Sequence, residues 1–132
     1  MEESMEESLN ERKSTCSLGH EGEDKACAFL KENSYRIIER NFRTRYGEID
    51  IITQKDDVLV FVEVKALPSG NAETLSHELD LRKQRKIIKT ANFFLLKHRE
   101  YNNSKIRFDV IVIDMPNLPS VYHIQDAFSE FL

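Results

Sequence analysis

The sequence predicts an α/β domain, a mixed β-sheet with helices packed against it in the order α-β-β-β-α-β-β-(α). Three observations carry this. Val58 to Lys65 is a short run rich in Val and Phe, the composition of a central strand. The segment from Leu81 to about His98 repeats apolar residues at helical spacing. Shorter apolar segments on either side are separated by polar turns and by Pro116 and Pro119.

Each element has a local reason. Residues 1–18 are Glu/Ser-rich and without period, and read as an acidic disordered tail ahead of a single domain over 19–132. From Glu23 to Lys31, Ala26, Cys27, Phe29 and Leu30 recur at helical spacing, so a first helix is expected, with Cys27 in the core. Asn33-Ser34 ends it. Tyr35 to Arg40 reads as a strand, Gly47 as a turn, and Glu48 to Thr53 as a second strand. Lys55-Asp56-Asp57 is a hairpin-type turn into the Val58 strand. Residues 66–76, with Pro68, Ser69, Gly70 and Asn71, read as a long loop. Asp80 is placed to N-cap the following helix, whose apolar stripe is Ile87, Ile88, Ala91, Phe94 and Leu95. Ile106 to Ile113 and Val121 to Ile124 read as strands, and Gln125 to Phe131 as a short terminal helix.

Composition narrows the function. The 132 residues are 40% hydrophobic and 32% charged, a folded balance for one domain. No apolar stretch is long enough for a membrane span, and the acidic N-terminus lacks the apolar core of a secretory signal. Two cysteines, Cys16 and Cys27, match no metal spacing and suit a reducing, cytoplasmic setting. No Gly-rich phosphate loop or His-x-x-x-His pair occurs, which disfavours P-loop NTPases and zinc hydrolases. Net charge is −4, yet the tail takes up most of it, and bases cluster elsewhere. Arg36, Arg40, Arg43 and Arg45 face one acid, Glu39, and residues 82–99 carry seven Lys and Arg and no acid. Such local fields steer a polyanion, although a solvated helix face has the same composition.

The chemistry points to two strands with acids at alternate positions. In Glu48-Ile49-Asp50-Ile51 the acids are expected on one face and the isoleucines on the other. In Phe61-Val62-Glu63-Val64-Lys65, Phe61, Glu63 and Lys65 share a face. Pairing through the Lys55–Asp57 turn brings Asp50 near Glu63, with Lys65 beside them. Two close carboxylates call for a cation, and a hard divalent ion such as Mg²⁺ or Mn²⁺ suits oxygen donors. The lysine adds a fixed positive charge for a phosphate. A half-solvated sheet with cross-strand ion pairs has the same pattern.

A set of short blocks resolves part of this ambiguity. Gly22-Glu23 with Ala26 and Leu30, Asn41-Phe42-Arg43, Gly47 to Ile52, Phe61 to Lys65, Lys83-Gln84-Arg85, Arg107 to Val110 and His123-Ile124 occur in this order. Together they resemble the bacterial YraN family of endonuclease-like proteins over about residues 19–130. That resemblance implies the restriction-endonuclease-like fold, related to Holliday-junction resolvases, with the PD-(D/E)xK signature. Carried over, Asp50 and Glu63 match the metal-binding acids, Lys65 the catalytic lysine and Glu23 the extra acid of resolvase-like members. Gln84 matches a helix glutamine found near the site in some members. Ile49 stands at the signature proline's place, as is common in the family. Ala66-Leu67 stands where the family usually has Thr-Arg.

The implied activity is metal-dependent hydrolysis of DNA phosphodiesters, branched DNA included, with Arg43, Arg45, Lys83 and Arg85 against the backbone. The alternatives are a nucleic-acid-binding module on the same fold that does not cut, or a protein-interaction role for the acidic tail. A homodimer would supply two sites for two strands. Arg43 and Arg45 could equally pair with Glu48 or Glu39. Tyr46 could stack on a base or pack at its turn. His123 could be a site residue but reads as a satisfied surface histidine, and Arg107–Asp109 reads as a structural ion pair around a buried Phe108.

Overall fold

The computed structural model describes residues 20–129, so the expected tail over 1–18 lies outside the described residues. Helix α1 covers residues 20–32. Strands β1 (Arg36–Thr44), β2 (Gly47–Lys55) and β3 (Val58–Ala66) follow, then α2 (Ala72–Glu78), α3 (Leu81–Lys97), β4 (Lys105–Ile113) and β5 (Val121–Phe128). The five strands form one sheet in the order β1-β2-β3-β4-β5. β3 and β4 are parallel and the other neighbours antiparallel, so the sheet is mixed. The parallel pair requires a crossover, which α2 and α3 supply. This is the restriction-endonuclease-like α/β architecture that the sequence predicts.

The two faces of the sheet carry separate cores. Ile87, Ala91 and Phe94 of α3 pack on Ile49, Ile52, Leu59, Phe61, Phe108 and Val112. On the other face Ala26, Cys27 and Leu30 of α1 cover Ile51, Val60, Val62, Ile111 and Ile113. β3 and β4 contribute to both cores, which explains their near-continuous apolar sequences. The β2–β3 turn is the expected one, with Lys55 opposite Val58 and Asp56 in the left-handed region at φ 56°. Asp80 caps α3, its Oδ1 accepting from the Lys83 N–H at 2.9 Å.

Three expectations are corrected. The loop read over 66–76 contains most of α2, started by Asn71, whose side chain accepts from the Thr74 N–H while Thr74 Oγ1 accepts from the Asn71 N–H. This helix buries no residue, so it has little apolar period to read. Residues 125–128 are strand, not helix. Phe128 pairs with Phe108 and stacks on it at 5.2 Å, and the Asp126 N–H donates to buried Asp109 Oδ1 at 2.9 Å. Tertiary pairing therefore overrides the helix propensity of Gln125-Asp126-Ala127. Finally, Ile49 and Ile51 lie in opposite cores, so β2 does not alternate strictly there.

Candidate metal and nucleic-acid site

The broken alternation in β2 makes the site. The β2–β3 ladder runs from Lys55–Val58 to Ile51–Val62 and stops there. Asp50 stands in the fork where the strands part, and its Oδ2 accepts from the Val64 N–H at 2.8 Å. The bond replaces a lost ladder partner and fixes the carboxylate at the end of the sheet. On β3, Glu63 is buried at 7% exposure, with Lys65 two residues on.

Glu23 comes from α1. The turn that buries Ala26 and Cys27 carries Glu23 on the same face, 7% exposed. One carboxylate oxygen each from Glu23, Glu48 and Asp50 lies within 4.8 Å of the others. Asn41 joins two of them. It falls between the Arg40–Ile51 and Phe42–Ile49 pairs of the β1–β2 ladder, level with Asp50, in the left-handed region at φ 55°. With its amide nitrogen facing the carboxylates it donates to Glu48 Oε1 at 3.0 Å and to Glu23 Oε1 at 2.9 Å. The opposite orientation would set oxygen against oxygen. Arg40 braces the cluster from behind, with Nη2 at 2.8 Å from Asp24 and 3.6 Å from Glu23.

Glu63 faces the lysines. Lys65 Nζ lies 3.5 Å from Glu63 and 3.6 Å from Glu78, and Lys83 Nζ lies 3.6 Å from Glu63. Burial, then the charge of Glu63, pushes Asp50 up to about 8. Burial also raises Glu63, against the pull of Lys65, Lys83 and a hydrogen bond with Asp50. Burial and the nearby Lys65 lower Lys83, while Lys65 is raised because Lys83 and the surrounding acids outweigh its own burial. The site thus sets carboxyl groups that resist ionisation in the absence of a cation against two lysines that compete with each other.

The donor set fits a hard cation. All three clustered donors are carboxylate oxygens, and on octahedral Mg²⁺ at about 2.1 Å per bond neighbouring oxygens are about 3.0 Å apart and opposite ones about 4.2 Å. At least two of the three oxygen pairs must be neighbours in that shell, so binding draws them from as much as 4.8 Å to about 3.0 Å, a movement that rotation of the two glutamate side chains supplies. Cys27, the soft donor nearby in sequence, is buried in the α1 core.

The residues singled out in the sequence divide clearly. Asp50, Glu63, Lys65 and Glu23 converge, and Lys83, expected only against the backbone, joins them. Glu48 and Asn41 were not counted as site residues, although strand alternation already put Glu48 on the face of Asp50. Arg43 pairs with Glu48 at 3.4 Å and remains exposed, while Arg45 donates to the Tyr46 hydroxyl at 2.8 Å. The Gln84 amide is turned away from the acids and donates to the Leu79 carbonyl at 2.7 Å, tying α2 to α3. Arg85 is exposed. Leu67 is a core residue at 7% exposure, so packing accounts for it.

A second polar centre is structural. Asp109, 0% exposed, accepts two bonds from Arg107, one from the Asp126 N–H, and lies 2.7 Å from His123 Nε2. Burial alone would raise Asp109, but these partners hold it below the ordinary carboxylate range. Arg107 also donates to the Tyr35 hydroxyl at 2.7 Å. His123 is therefore not a surface residue. Its side chain is 8% exposed and meets Phe29 and Tyr35 edge-on.

Known proteins resemble this chain over the same segment. The model of "Uncharacterised protein family UPF0102" matches residues 22–113. A UPF0102 protein of Persephonella marina is 47% identical over 110 residues, covering 83% of this chain and 91% of its own length. One from Treponema denticola is 42% identical over 125 residues, covering 86% and 96%. One from Acinetobacter baylyi is 44% identical over 100 residues, covering 76% and 71%. Among the described residues, no helix is long and apolar enough to cross a membrane.

Proposed function

This chain belongs to the UPF0102 family, the YraN-type proteins, and from that premise we propose that it is a Mg²⁺- or Mn²⁺-dependent endonuclease acting on DNA. The observation that carries this reading is the fork at Asp50, where acids of α1, β2 and β3 meet beside Lys65. Glu23, Glu48 and Asp50 would hold the cation, with Glu63 at its flank. When bound, a divalent cation supplies Lewis-acid polarisation of the phosphodiester and neutralises developing charge.

The chain's own groups do the rest. Val64 N–H holds one oxygen of Asp50, which leaves the other for a ligand. The Asn41 amide sets the spacing of Glu23 and Glu48. Lys65, engaged by Glu63 and Glu78, turns its ammonium to a phosphate oxygen as negative charge builds there. Lys83 offers a second cation to the neighbouring phosphate. Arg43 and Arg45 lie at the rim, where their role is to position the backbone without reading its sequence.

The test is cleavage of labelled duplex, single-stranded and four-way-junction DNA in Mn²⁺, wild type beside Glu63→Ala. Cutting by wild type alone is expected. No cutting of any substrate by wild type, or equal cutting by both proteins, overturns the proposal. Retained binding without cutting would leave a non-catalytic nucleic-acid module.

A further inference from the structure

We infer that the groove between the β1–β2 hairpin tip and α3 binds an unpaired DNA strand, with one base stacked on Tyr46. This deepens the nuclease reading and rests on it, because it names the form of DNA presented to the acids.

The groove has a volume of about 420 Å³ and is lined by Gly47, Glu48, Arg82, Lys83, Lys86 and Ile87, among others. Glu48 and Lys83 belong also to the acid site, so groove and site are continuous. The volume lies near the lower end for ligand sites, the scale of one nucleotide. Along α3, Arg82, Lys86 and Lys89 recur at i, i+4 and i+7 and so lie along one face. They span about 10 Å at about 1.5 Å per residue, a row of cations for one phosphate backbone. The lining also holds two acids, Glu48 on the hairpin wall and Asp80 at the start of α3, which confine a backbone to the Arg82–Lys86 side and disfavour a second one.

Tyr46 supplies the stacking surface. It belongs to neither core cluster, and nor does its neighbour Phe93, 6.5 Å away. Lys89 Nζ lies 4.2 Å from the centre of the Tyr46 ring, and the Arg45 guanidinium 4.9 Å. The two cations stand over the partly exposed ring and are themselves exposed, so a base that stacks there displaces them from the ring face toward its own phosphates. The turn that carries the ring is also fixed in place. A Cβ on Gly47 would come within 3.3 Å of Thr90 Oγ1 and 3.7 Å of the Lys86 Cβ, so the hairpin tip rests directly on α3. The Tyr46 N–H donates to Thr44 Oγ1 at 3.1 Å, which sets the turn. A base inside a duplex has its faces covered by its neighbours, so this platform selects unpaired nucleotides beside the acids.

The experiment measures binding of the full-length chain to a fluorescent single strand and to a blunt duplex of the same sequence, with EDTA present so that nothing is cut. Wild type is expected to bind the single strand at least about 10-fold more tightly than the duplex. Tyr46→Ala should weaken single-strand binding about 10-fold and leave duplex binding unchanged, and Tyr46→Phe should behave as wild type. Arg82→Ala should weaken both DNAs alike and lower the salt slope by about 1. A wild type that binds duplex as well as single strand, binds neither, or is indifferent to Tyr46→Ala overturns the inference. The wild-type comparison stands even if a variant fails to fold. The nuclease reading fails separately, through absence of Glu63-dependent cutting in Mn²⁺.

Discussion

Replacing Asp50 by Asn should make the cation-free protein more stable while removing its response to divalent cations. Burial and the charge of Glu63 push Asp50 from 3.8 up to about 8. A carboxyl raised in the folded state binds its proton more tightly there than in the unfolded chain. Its stabilising contribution is complete below about pH 4 and is lost as pH rises toward about 8. The whole interval is worth about 6 kcal/mol, of which about 4 kcal/mol has accrued by pH 7. Water at the mouth of the site and the proton shared with Glu63 reduce what one substitution recovers. We expect Asp50→Asn to gain about 2 kcal/mol at pH 8, or about 8 °C in Tm for a domain of this size. Asparagine still presents an oxygen to the Val64 N–H, so the fork is preserved. The assay is urea unfolding at pH 5 and pH 8 in EDTA, repeated in Mn²⁺. The variant's advantage should be smaller at pH 5. Mn²⁺ at 100 times its Kd should stabilise wild type by about 2.7 kcal/mol and the variant by far less. An Asp50→Asn protein that is less stable than wild type at pH 8 in EDTA, with an unchanged pH slope, would refute the reasoning.

Three further outcomes follow from particular contacts. Asn41→Gly keeps a backbone suited to φ 55° but removes the amide between Glu23 and Glu48, whereas Asn41→Ala loses both. Calorimetric Mn²⁺ titration should show weakened binding in both, and unfolding should show the Ala variant about 1 kcal/mol less stable than the Gly variant. Asp109→Ala strands Arg107 and should cost about 3–5 kcal/mol at pH 7. Because Asp109 is depressed in the folded state, that gap should persist above its unfolded pKa of about 4 and shrink as pH falls below it. Gln84→Ala should cost about 1 kcal/mol through the lost bond to Leu79, with DNA affinity unchanged in a titration.

The legible parts of this protein are those whose cause is local. The Val58 to Lys65 run, the Asp56-Asp57 turn and the Asp80-capped α3 were readable because period, turn chemistry and cap each act within a few residues. α2 was not, because no residue of it is buried and its capping pair, Asn71 and Thr74, is not the common Ser/Thr-x-x-Glu form. The end of β5 was not, because what extends it is a buried carboxylate 17 residues earlier in the chain.

The same division explains the site. Alternation along β2 and β3 places Asp50 near Glu63 and Lys65 only while the two strands remain paired. The strands in fact part at Ile51, which sends Ile49 to one core and Ile51 to the other. That parting frees Asp50 to meet α1, and the left-handed Asn41 level with it supplies the donor that gathers Glu23 and Glu48. Neither event has a period-2 signature, so strand arithmetic finds the acids but not which of them cluster. The docking of α3 similarly decides that Lys83 reaches Glu63 while the adjacent Gln84 closes on Leu79. A departure from regular strand geometry thus concentrates the acids, and its stability cost is what the Asp50→Asn experiment measures.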